Sequence, residues 1–255
     1  MFKDTVVLIT GAASGIGFGT ARLFIAEGAT VVGFDLEAEA LARASDDLGE
    51  HFVSRPGDVS NEVDIAAAAR FVEERFGRLD TLVNNAGRGT LVQMEALQET
   101  DFYWHYDVLV KGPMLMVKHF APLLRKSANP SILNISSSAA RVEHTQNHFL
   151  YSTAKAAMLK FTQHIVRDLP GIRANTILPG WIDTPIYARA GLDEATIKLV
   201  YEHALPRIPA GRIGRPEDIG HCILFLSSPK ASYINGASID IHGGYLSNAD
   251  WGFLW

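Results

Sequence analysis

Tyr151 and Lys155 stand four residues apart in Tyr151-Ser152-Thr153-Ala154-Lys155, a spacing that puts both side chains on one face of a helix. A phenol ionises near pH 10, so acid–base work at neutral pH needs a cation beside it. An ammonium about 4 Å away contributes roughly 4 kcal/mol at an effective dielectric of 20, about three pKa units. The spacing therefore predicts a tyrosine drawn toward neutrality by Lys155. A serine-rich segment, Ser136-Ser137-Ser138, lies upstream. Near the start of the chain, Thr10-Gly11-Ala12-Ala13-Ser14-Gly15-Ile16-Gly17 follows the apolar run Val6-Val7-Leu8-Ile9 and opens a helical segment. Such a strand–turn–helix holds a pyrophosphate: backbone N–H groups along Gly11, Ser14, Gly15, Ile16 and Gly17 face the anion, and the helix dipole adds about half a positive charge. An isolated Tyr-x-x-x-Lys is most often a surface pair, and three glycines alone mark an ordinary turn. Together they favour chemistry.

Three further segments extend the dinucleotide reading. Asp35 ends the run Val31-Val32-Gly33-Phe34-Asp35, where an acid about 20 residues beyond the glycines hydrogen-bonds the adenosine ribose. Its charge would repel a 2′-phosphate, and neither Ser14 nor Leu36 supplies a cation to attract one. That predicts NAD rather than NADP. Asp58-Val59 can meet the adenine edge through a carboxylate and a backbone N–H. Asn84-Asn85-Ala86-Gly87 has small residues that let a flat ligand approach and amides that can bridge strands; a plain turn after a buried strand explains it equally well.

These residues need elements to position them. Strands are expected at 5–10, 30–35, 51–54, 79–84, 131–136, 173–178 and 238–241. Several are continuous Val/Ile/Leu runs, as a parallel sheet covered on both faces requires. Helices are expected at 16–28, 37–48, 62–76, 102–124, 150–168, 193–203 and 216–226, with Gly28 and Gly77 as C-caps and Pro216 in a first turn. The alternation predicts an α/β fold: a doubly wound parallel sheet of about seven strands with helices on both faces, in one domain over 1–255. Residues 141–149 and 183–215 read as irregular, and loops at the carboxyl ends of such strands bind ligands.

Composition narrows the class. The chain has 255 residues, 47% hydrophobic and 20% charged, as in ordinary globular proteins. A net charge of -5 gives no footprint for nucleic acid. The one cysteine, Cys222, cannot form an internal disulfide. It reads as a small hydrophobe, and with no signal segment or membrane-length apolar run the expected location is cytoplasmic.

With these motifs in this order the chain resembles the short-chain dehydrogenase/reductase family. The match spans nearly the whole chain: Thr10–Gly17, Asp58, Asn84–Gly87, Ser136–Ser138, Tyr151–Lys155, Pro179-Gly180 to Thr184, and Ile241-His242-Gly243-Gly244. The resemblance implies a Rossmann fold, with Tyr151 exchanging a proton with the substrate oxygen and a serine orienting that oxygen. Lys155 would lower the tyrosine pKa and hold the nicotinamide ribose. Pro179, Gly180, Ile182 and Thr184 would lie along the nicotinamide and pyrophosphate. The strand pattern Asn134-Ile135-Ser136-Ser137 assigns the serine role to Ser137; counting back from Tyr151 gives Ser138, and Ser137 is preferred because an extra residue belongs in a loop rather than at a strand end. The family's asparagine, three residues before Gly112, is replaced by Leu109, which cannot hydrogen-bond. Asp107 is not expected to take over its role.

The family's substrate segments here are 88–90, 141–150, Trp181 and a loop over 186–206. Trp181, Phe149, Leu150, Ile186 and Tyr187 make a largely apolar lining, suited to a hydrophobic or cyclic secondary alcohol or ketone. Cyclic diols and hydroxysteroids fit the same machinery. A non-enzymatic redox sensor is the competing class, favoured by Leu109 alone. His144 and His148 are four apart without further ligands, so no metal is expected. The resemblance implies a homotetramer built through the helices over 102–124 and 150–168. Met114-Leu115-Met116-Val117, Phe120 and Leu123-Leu124 offer more apolar surface than one stripe needs. Over 246–255 the aromatic tail, with Trp251, Phe253 and Trp255, is expected to dock on a neighbouring subunit.

Overall fold

The apolar runs are explained by a sheet whose strands face two separate cores. In the computed structural model, which describes residues 1–142 and 146–248, Val6 and Leu8 point into one core while Val7 and Ile9 point into the other. The same alternation places Val32 and Phe34 opposite Val31, and Leu82 opposite Val83. Every residue of the run must therefore be apolar.

The strands are β1 (Val6–Thr10), β2 (Thr30–Asp35), β3 (Phe52–Pro56), β4 (Thr81–Asn84), β5 (Ser131–Ile135), β6 (Arg173–Pro179) and β7 (Ser238–Ile241). Among the described residues they form one parallel sheet in the order β3-β2-β1-β4-β5-β6-β7. Helices α1 (Gly15–Ala26), α2 (Ala38–Leu48) and α9 (Pro216–Ser227) cover one face through Phe24, Leu41 and Ile223. Helices α3 (Glu62–Phe76), α5 (Gly112–Leu124) and α6 (Phe149–Asp168) cover the other through Ile65, Phe120 and Ile165. The strand order reverses between β1 and β4, which opens a crevice at their carboxyl ends.

Three expectations need correction. The helix predicted over 102–124 is not continuous: α4 (Glu99–Tyr106) runs into a π-helical turn, Asp107–Lys111, before α5 begins. Pro113 lacks the N–H that a continuous helix would bond to the Leu109 carbonyl, and the backbone widens just ahead of it. The apolar surplus assigned to subunit contacts is also largely internal. Met116, Val117, Phe120, Leu123 and Leu124 are buried within the chain itself, and Met114 alone of the named set is exposed. The exposed aromatics stand instead on α4, as Phe102, Tyr103 and Trp104. The segment 183–215, expected to be irregular around one helix, carries α7 (Ile186–Arg189) and α8 (Glu194–Ala204).

Candidate active site

Strand β5 and helix α6 are tied together at the point where Tyr151 and Lys155 emerge. The Ser136 hydroxyl donates to the Lys155 carbonyl at 2.7 Å, and the buried Lys155 ammonium donates to the Ile135 carbonyl at 2.8 Å. Those two bonds fix the first turns of α6 against the strand end. Ser137, in extended backbone, accepts from the Ala139 N–H at 3.2 Å, and its hydroxyl lies near enough to the Tyr151 phenol to favour the ionised form. Of the two candidate serines, the structure brings Ser137 to Tyr151. Ser138 turns into a short 3₁₀ segment and is buried.

The Lys155 ammonium lies 5.5 Å from the centre of the Tyr151 ring. The expected lowering of the phenol pKa is not what the chain alone produces. Burial pushes Tyr151 up, partly offset by the neighbouring Ser137 hydroxyl, and pushes Lys155 down from its ordinary 10.5 to about 8. Each charged form loses its water, and the lysine's polar contact is a neutral carbonyl.

Four residues around Tyr151 escaped the sequence reading in these roles. The His148 ring stacks on the Tyr151 ring at 4.5 Å and 12°. Gly89 lies so close that a Cβ there would stand 2.8 Å from the tyrosine ring. Buried His105 accepts from the Thr90 N–H at 3.2 Å through Nε2, so its Nδ1 carries the proton and donates to the Asp101 carbonyl at 2.8 Å. Arg88 donates to the Trp104 carbonyl at 2.9 Å and covers that indole at 4.1 Å. Helix α4 thereby holds the loop after β4 against Tyr151. The only signal in the sequence was a histidine three residues before the tyrosine. His144, its suggested partner, lies outside the described residues, as does the tail with Trp251, Phe253 and Trp255.

The residues assigned to a dinucleotide converge at the β1–β4 crevice. Gly11 has φ +66, and a Cβ on Gly17 would stand 2.1 Å from the Gly11 carbonyl oxygen. Only glycine at position 17 lets α1 start this close to the turn. Ser14 does not cap α1 with its side chain, which leaves the first N–H groups of the helix open to an anion. Asn85 donates to the carbonyls of Thr10 at 2.9 Å and Gly11 at 3.2 Å, while Thr10 Oγ1 accepts from the N–H groups of Asn85 and Ala86, each at 3.0 Å. Asn84 spans to Asn134 at 2.8 Å. These amides bridge strands as expected. Thr184 packs against Gly15, at 3.2 Å from where a Cβ would stand, so the segment after β6 returns to the glycine turn. Pro179 ends β6, the Gly180 N–H donates to the Ile241 carbonyl at 2.9 Å, and buried Ile182 bridges to Gly214.

Asp35 is buried at the end of β2. One carboxylate oxygen accepts from the Ala13 N–H at 2.9 Å and the other from the Glu37 N–H at 3.1 Å. Those bonds aim the carboxylate at the glycine turn and leave lone pairs free for a ribose. Asp58 accepts from the Ser60 N–H at 2.7 Å, and the Val59 carbonyl faces Gly112 at the end of the π turn. The closed-up glycine turn, the uncapped helix and the buried acid fit a nicotinamide dinucleotide. At the far side Leu109 is buried beside Gly87, near Lys155 Nζ. Asp107 pairs with Lys111 at 2.8 Å, so it does not replace the missing amide.

A family model described as enoyl-(acyl carrier protein) reductase matches residues 11–246. The chain is 36% identical over 253 residues to the 3-oxoacyl-(acyl-carrier-protein) reductase of Thermotoga maritima, covering 96% of this chain and 98% of that protein. It is 36% identical over 254 residues to the cis-4-hydroxycyclohexanecarboxylate dehydrogenase of Sinomonas cyclohexanicum, covering 96% and 98%. Among solved structures, the 3-ketoacyl-(acyl-carrier-protein) reductase of Brucella melitensis complexed with NADH superposes with a TM-score of 0.86 at 31% identity, covering 95% of this chain and 98% of that one.

Proposed function

The chain belongs to the short-chain dehydrogenase/reductase family, and from that premise we propose that it moves a hydride between NAD(H) and a hydrophobic or cyclic secondary alcohol or its ketone. The observation that carries this reading is the placement of Ser137 beside Tyr151, one helical turn from Lys155, at the crevice where the glycine turn, Asn85–Gly87 and Pro179–Thr184 meet. A nicotinamide dinucleotide bound there supplies the hydride acceptor or donor. In the oxidation direction Tyr151, as phenolate, accepts the proton of the alcohol. In reduction it returns a proton to the ketone oxygen. Ser137 donates to the same substrate oxygen and keeps it within reach of the phenol. Lys155, pinned by the Ile135 carbonyl, favours the phenolate and holds the nicotinamide ribose.

Preference for NAD follows from Asp35, whose buried carboxylate would face a 2′-phosphate as a like charge. Two relatives inform the substrate class, one named for a hydroxycyclohexane acid and the other for a 3-oxoacyl thioester carrier. The aromatic lining around Trp181 and Tyr187 favours the ring-shaped class. We place the enzyme in the cytoplasm on its single free cysteine. Among the described residues no helix is long and apolar enough to cross a membrane. Assembly as a homotetramer is part of the same reading.

The test is oxidation of a panel of secondary alcohols with NAD, followed by absorbance of the reduced cofactor. Tyr151→Phe keeps the ring and removes the hydroxyl, so turnover is expected to fall by about 100-fold or more while NAD still binds. Near-native turnover in that variant would remove Tyr151 from the mechanism. A protein that binds NAD yet oxidises and reduces nothing would support a redox sensor instead, the reading that Leu109 favours.

A further inference from the structure

Tyr187 carries a hydroxyl that the proton-transfer chemistry leaves unused. It sits on α7, just after Thr184, among four aromatic rings. Its ring stacks on Trp181 at 6.1 Å and 23°, and Tyr201 meets it edge-on at 5.9 Å. Tyr245 in turn meets Trp181 edge-on at 6.2 Å. These contacts hold the Tyr187 ring in one orientation. A tyrosine held in this way ordinarily finds a hydrogen-bond partner. Tyr201 does, donating to the Ile182 carbonyl at 3.4 Å. The Tyr187 hydroxyl has no such partner among the described residues. Burial pushes its ionisation well above the ordinary phenol range, and it lies near enough to Tyr151 that a charge on either disfavours one on the other. At working pH it is therefore a neutral donor.

We propose that the Tyr187 hydroxyl binds a second oxygen of the substrate, so that the site selects neutral, ring-bearing alcohols or ketones with another hydroxyl or carbonyl away from the reacting carbon. The proposal rests on the dehydrogenase reading above and adds a specificity residue to it. The reacting oxygen is already served by Ser137 and Tyr151, which leaves a third hydroxyl, on α7, for a different one. Trp181 and Tyr187 supply flat walls that a ring can stack on. The four-ring cluster holds no cation, so a carboxylate placed there would be left uncompensated.

Tyr187→Phe keeps the ring stack and deletes the donor. The probes are cyclohexanol and 1,4-cyclohexanediol, each oxidised with NAD, and the readout is kcat/KM. The variant is expected to lose about tenfold more on the diol than on cyclohexanol, the scale of one neutral hydrogen bond. Trp181→Ala, which removes a wall rather than a donor, is expected to weaken both probes alike. An equal loss on both probes for Tyr187→Phe, or no loss on the diol, overturns the proposal while the dehydrogenase reading stands. If the unaltered protein turns over neither alcohol, nor reduces cyclohexanone or 1,4-cyclohexanedione with NADH, the dehydrogenase reading falls and the proposal falls with it.

Discussion

Lys155 is a buried ammonium whose hydrogen bond goes to a neutral carbonyl, and that makes its protonation a matter of stability as well as catalysis. In the folded chain it releases its proton near pH 8, whereas the unfolded chain holds it to about 10.5. Between those values the unfolded state binds more protons, so this group makes stability rise with pH across that window. Lys155→Met is expected to remove that rise: its melting temperature should converge with that of the unaltered protein as pH increases through about 8, 9 and 10, with turnover lost throughout. A difference that stays constant over this range would show that Lys155 keeps its charge in the fold. Tyr151 is shifted upward by burial, so alcohol oxidation, which needs the phenolate, is expected to gain with alkaline pH. Asp35→Ala deletes the acid held by the Ala13 and Glu37 N–H groups. It should narrow the preference for NAD over NADP by about tenfold or more, read as the ratio of kcat/KM values. A native enzyme that prefers NADP would sink the cofactor assignment.

At the scale of the element, the π-helical turn between α4 and α5 decides what Leu109 does. The turn buries Leu109 in the core shared by α3, α5 and α6, beside Gly87. An asparagine there would exchange packed methyl groups for an amide in apolar surroundings. Leu109→Asn is therefore expected to cost about 1–3 kcal/mol in chemical denaturation and to leave kcat no higher than before. A clear rise in turnover would show that the missing amide limits the enzyme. The same element reaches the site by another route, because His105 and Arg88 tie the loop carrying Gly89 to α4. Tyr151 is thus positioned from both α6 and α4.

For the whole molecule, the crevice at the strand-order reversal gathers groups from six strand ends, while the outer surface leaves one helix unusually apolar. Phe102, Tyr103 and Trp104 are exposed on α4, and Phe102 stacks on Tyr106 at 4.3 Å, whose hydroxyl donates to Thr153 on α6 at 2.9 Å. Exposed aromatics grouped in this way mark an association surface. Sedimentation of the unaltered protein is expected to give four copies, and Phe102→Glu with Trp104→Glu to shift it toward smaller species. A stable monomer at micromolar concentration would remove the argument. Closed symmetry would repeat the α4–α6 contact across a two-fold axis.

The glycine turn, Asp35, Asn85–Gly87 and the Tyr151–Lys155 pair were legible in the sequence because each is local: a strand end, a fixed spacing, or a turn that only glycine permits. The two-faced burial of the strands was legible too, since an all-apolar run such as Val6–Ile9 has no other stable use in a parallel sheet. The choice of Ser137 over Ser138 was legible as a preference, because an extra residue belongs in a loop rather than at a strand end; the fold adds how that strand end turns into the 3₁₀ segment opposite α6. The break in the helix over 102–124 was written only faintly, in Pro113. The pKa of Tyr151 moved the opposite way from the expectation drawn from spacing alone, since spacing gives the distance to a cation but not the desolvation around it. The roles of His148, Gly89, His105 and the Tyr187 hydroxyl belong to the tertiary structure alone. Their partners are far apart in the chain or on different elements, and only the packed fold decides which rings stack and which donors are left over.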